Sequence, residues 1–75
     1  MTRDQVKDEI ARWRYEIKHS RECNRRMRLA MRALSERPMG QRDPIQSLHL
    51  RMAINERLAL IRDRQRAIEN AKVYL

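Results

Sequence analysis

Six basic residues descend the first half of the chain in steps of four and three: Arg14, Lys18, Arg21, Arg25, Arg28 and Arg32. On an α-helix this spacing gathers them into one stripe, roughly 27 Å long at about 1.5 Å rise per residue. Neighbouring acids compensate only part of it. Lys18 and Arg25 can reach Glu22, and Arg32 can reach Glu36, but Arg14, Arg21 and Arg28 have no acid three or four residues away. A row of like charges disfavours folding, so the stripe calls for an anionic partner. Arginine supplies 15 of the 18 cations, and its planar fork grips phosphate or carboxylate with two hydrogen bonds at once. Duplex DNA, with about one phosphate charge per 1.7 Å of axis, has the charge density to meet such a row.

Catalytic chemistry finds less material. His19 and Cys23 stand one helical turn apart, a spacing that serves a metal or an activated thiol only when further ligands or a base converge on it. His49 falls level with residue 30, away from His19. There is no Gly-rich phosphate loop, no carboxylate pair in an apolar setting and no Ser-His-Asp arrangement. The reading is a protein that is not an enzyme, with no metal and no cofactor.

Composition bounds the partners. With 75 residues, a net charge of +8 and a pI near 11.0, the chain is one small basic domain. A hydrophobic content of 41% exceeds that of a disordered basic tail. Aromatic residues are limited to Trp13, Tyr15 and Tyr74, too few for the stacking surfaces of single-strand and RNA-binding modules. Zinc-finger spacing is missing, and two long helices with one corner do not make a helix-turn-helix. Binding to nucleic acid would therefore run through backbone phosphates and shape. One cysteine precludes an intrachain disulfide and fits a reducing cytoplasm. Neither a signal peptide nor a membrane-crossing run is expected, and the seam on helix 1 is too narrow for a membrane-surface helix.

The stripe must be held by helices, and the sequence marks where they end. The single Gly and both Pro fall within Pro38–Pro44, and everything on either side reads as helix. Thr2 with Gln5 forms a capping-box pattern. Asp43 caps a second helix with Pro44 at its first position and Gln46 at its third. The expected elements are helix 1 over about 3–36, a corner at 37–43 and helix 2 over about 44–73. So short a corner predicts an antiparallel two-helix hairpin, an all-α fold.

Helix 1 carries an unbroken heptad seam: Val6, Ile10, Trp13, Ile17, Ser20, Asn24, Met27, Met31 and Leu34. Helix 2 opens with a seam at Ile45, Leu48, Met52, Asn55 and Ala59, and its apolar face then drifts to Ile54, Leu58, Ile61, Ile68 and Leu75. A turn near residue 40 sets Asn24 level with Asn55, a polar layer that would fix register. It also sets Glu56 and Asp63 near the stripe, where they would bridge Arg21 or Arg25, and Arg14 or Lys18. One partner helix cannot cover so wide an apolar surface. The expectation is a homodimer, two hairpins in a four-helix bundle, with Leu50, Ile54, Leu58 and Ile61 carrying self-association. The partner is then nucleic acid or an acidic protein surface. The second alternative is an inhibitor or adaptor of the kind phages and mobile elements carry, docking on a host protein complex.

Overall fold

A computed structural model describes residues 2–38, 40 and 43–75. Two α-helices, α1 (Arg3–Ser35) and α2 (Pro44–Ala71), pack side by side, and a one-turn 3-10 helix (Lys72–Tyr74) follows α2. The hairpin is a rod of 58 × 14 × 12 Å. Of the expected corner, Met39, Gln41 and Arg42 lie outside the described residues. Among the described residues no helix is long and apolar enough to cross a membrane.

Both helices start where side chains satisfy the free N–H groups of a first turn. The Thr2 hydroxyl accepts from the Gln5 amide at 3.2 Å, and Gln5 Oε1 accepts from the Thr2 amide at 2.8 Å, the reciprocal pattern of a capping box. Asp43 Oδ1 accepts from the amides of Ile45 and Gln46 at 3.0 and 3.2 Å. Pro44 takes the first helical position of α2, where a missing N–H costs nothing.

The α1 seam is the buried face that its heptads predict. Val6, Ile10, Ile17, Ser20, Asn24 and Leu34 are buried, and Trp13, Met27 and Met31 are half-buried. The face of α2 differs from expectation. Ile54, Ile61 and Ile68, seven residues apart, are its buried residues, with Leu50 and Leu58 half-buried beside them. The expected first seam stays outside: Ile45, Leu48 and Met52 are 63%, 53% and 51% exposed, and Asn55 and Ala59 are exposed too. The reason lies further along the helix. Continuing the heptads of Ile45 and Leu48 brings Arg62, Arg66 and Glu69 into the seam, level with Ile17, Trp13 and Ile10, where the charges would be stripped of water. The isoleucine frame runs apolar to the C-terminal end and closes a core of Val6, Ile10, Ile17, Ile61 and Ile68, with Trp13 and Ala71 against it.

This rotation corrects two further expectations. No Asn24–Asn55 layer forms. Asn24 Nδ2 instead donates to the Ile54 carbonyl at 3.4 Å, and Asn24 Oδ1 is buried without a partner among the described residues. Ile54 and Ile61, assigned above to self-association, are already 7% and 6% exposed within one chain. A second copy would have to be met by other side chains.

Candidate anion-binding groove

All six stripe residues are exposed. They project from α1 on the side of its seam opposite Glu9, Glu16 and Cys23, and along that edge the two helices leave a furrow. Its widest part, about 510 Å³, is walled by Arg21, Arg25 and Arg28 from α1 and by Arg62 and Gln65 from α2, above Leu58 and Ile61. Asn24, the buried seam residue, also lines it. A second depression of about 380 Å³ shares Arg21 and Gln65 and adds Arg14 and Lys18. A third, of about 180 Å³, shares Arg14 and adds Lys7 and Lys72. Because each shares residues with the next, the depressions form one track along the rod. Arg32 is exposed at the corner end and lines none of the three.

Charge compensation along this track is slight. Arg25 meets Glu22 at 3.6 Å, with both side chains more than half exposed, a geometry worth about 0–1 kcal/mol. Arg14, Lys18, Arg21, Arg28 and Arg32 make no ion pair among the described residues. Glu56 and Asp63, expected to bridge to the stripe, are exposed and make none either. The rotation that buries Ile54 and Ile61 turns both acids outward. The ion pair that does join the helices, Arg64 Nε to Glu16 Oε2 at 2.5 Å, lies on the opposite edge. There Glu9 also holds Arg12. The edge of Glu9 and Glu16 thus holds the two shorter ion pairs, and the track holds one long, exposed one.

Arg62 and Gln65 are the groove residues that the sequence reading did not place. Their signal was the spacing from Leu58: four and seven residues along a helix set both beside the same edge. On the flank of Glu9 and Glu16, Cys23 Sγ lies 3.7 Å from His19 Nε2, and the Tyr15 ring stacks on His19 with centroids 6.4 Å apart. Among the described residues no three His, Cys, Asp or Glu side chains converge to hold a metal ion.

No family model, no curated protein and no solved structure matches this chain.

Proposed function

We propose that this protein is a non-enzymatic, cytoplasmic binder of polyanions, foremost the phosphate backbone of nucleic acid, and that it works as a homodimer. One observation carries the reading: five of the six stripe cations lack an ion pair among the described residues, while Arg62 of the other helix closes the same furrow. Guanidinium groups on both walls of one track grip a polyanion with forked hydrogen bonds from two sides. The furrow is lined by Leu58, Ile61, Asn24 and Gln65 between its arginines, so it offers no aromatic platform for base stacking. Recognition therefore rests on phosphate positions and not on base identity.

The test is fluorescence anisotropy of labelled duplex DNA, single-stranded DNA and RNA across a salt series. Contact with several phosphates gives a log–log slope of about −3 or steeper. Arg62→Glu and Arg66→Glu change net charge equally, but only Arg62 lines the furrow. The first weakens binding and flattens the slope, whereas the second has the smaller effect. Equal effects would show that bulk charge, not the furrow, attracts the ligand. No binding to any of the three at low salt would refute the reading and point to an acidic protein surface, as on a host complex that a phage-type inhibitor blocks.

A further inference from the structure

The outer face of α2 has the build of a second helix seam. Ile45, Leu48 and Met52 are each more than half exposed, and Asn55 and Ala59 continue their spacing of three and four. Such a row on one helix face is a knobs-into-holes surface without its partner. Charge decides which partner suits it. The chain carries +8 overall, yet the seam's span, residues 45–59, holds only Arg51, Glu56 and Arg57, a net of +1. Two copies can meet there without the repulsion that would keep their other surfaces apart.

We infer that a second copy of this chain packs on this face, α2 against α2 and antiparallel, with the twofold axis passing near Met52. Met52 then meets its own copy, and Ile45 lies over the small Ala59 of the second chain. His49 comes beside the second copy's Glu56, and the exchange occurs twice, once on each side of the axis. Such self-complementarity is what an isologous interface requires. From Ile45 to Ala59 the seam is about 21 Å long, which sits at the small end of stable interfaces. The dimer accordingly forms and dissociates with concentration. A twofold axis normal to the layer of four helices leaves both furrows on one side of the assembly. On the anion-binding reading, which this last consequence alone rests on, one polyanion can then contact both stripes.

Sedimentation equilibrium over a concentration series tests the interface, with helicity followed in parallel. The wild type moves from the 9.2 kDa chain mass toward twice that value. Met52→Glu raises the dissociation constant by about tenfold or more without loss of helicity, because Met52 lies outside the hairpin core. Glu56→His weakens the dimer, and adding His49→Glu restores it, because the swapped pair meets in the same register. A wild type that stays at the chain mass throughout overturns the inference. So does a dimer indifferent to Met52→Glu. Arg21→Glu with Arg28→Glu leaves the mass unchanged, so failure of the interface and failure of anion binding are read separately.

Discussion

Asn24→Leu is the substitution whose effect follows most directly from the packing. Asn24 is 2% exposed; its Nδ2 reaches the Ile54 carbonyl at 3.4 Å, and its Oδ1 has no partner among the described residues. A bond of that length lies beyond the usual 2.7–3.2 Å range and contributes little. A buried unsatisfied acceptor costs about 1–3 kcal/mol. Leucine removes that cost, fills similar space and adds apolar burial in the seam beside Ile54. Replacing an amide that is half satisfied at best should therefore stabilise the hairpin by about 1–2 kcal/mol. In a domain of this size that raises Tm by roughly 4–8 °C per kcal/mol. Urea and thermal unfolding followed by far-UV circular dichroism measure it, at one fixed protein concentration because association shifts apparent stability. A loss of stability beyond about 1 kcal/mol would refute the reasoning, since it would mean that Oδ1 accepts a hydrogen bond in solution.

Three further outcomes are expected. Reversing Arg21 and Arg28 to Glu removes two furrow cations, flattens the log–log salt slope for duplex DNA by about 2 units or more and leaves helicity intact; lost helicity would show that the stripe is a structural face. Ile61→Ala opens a cavity in the core, where Ile61 is 6% exposed, and should cost about 2–5 kcal/mol in urea unfolding. Glu16→Gln breaks the bridge to Arg64, but each side chain is about one-third exposed. Its cost should stay near 0–1 kcal/mol and shrink further in high salt, and a loss several times larger would mean that the bridge organises the opposite edge.

Local signals in the sequence were read correctly because their physics is local. Capping by Thr2 with Gln5, and by Asp43 ahead of Pro44, depends on a few adjacent residues and needs no knowledge of the partner helix. The level of pairing was legible too. Asn24 meets Ile54 and Glu16 meets Arg64, each within a residue or two of where a turn near residue 40 sets them. The rotation of α2 was not legible from its first half. Two heptad frames overlap there, one through Ile45, Leu48 and Met52 and one through Leu50, Ile54 and Leu58, and both are apolar. The choice between them is made some ten residues downstream, where one frame runs into Arg62, Arg66 and Glu69 and the other into Ile61 and Ile68. An error of one residue in that frame turns the helix by about 100°. It accounts at once for the misplaced Asn55, the bridges expected from Glu56 and Asp63, and the overlooked wall at Arg62 and Gln65.

The same choice of frame explains why the charge is one-sided. Burying Ile54, Ile61 and Ile68 directs Arg64 to the edge where Glu16 waits, and directs Arg62 and Gln65 to the edge that already holds Arg14, Lys18, Arg21, Arg25 and Arg28. The first edge gains an ion pair as a by-product of packing. The second gains a further cation from the same cause. Turning α2 toward its other apolar frame would bring Glu56 and Asp63 nearer the stripe, but only by burying Arg66 and Glu69 in the seam. Hydrophobic packing therefore prevails over charge neutralisation within a single chain, because surface bridges are worth about 1 kcal/mol or less while a buried isoleucine is worth about 1.5–3 kcal/mol. The cation-rich edge is thus a stable product of the fold.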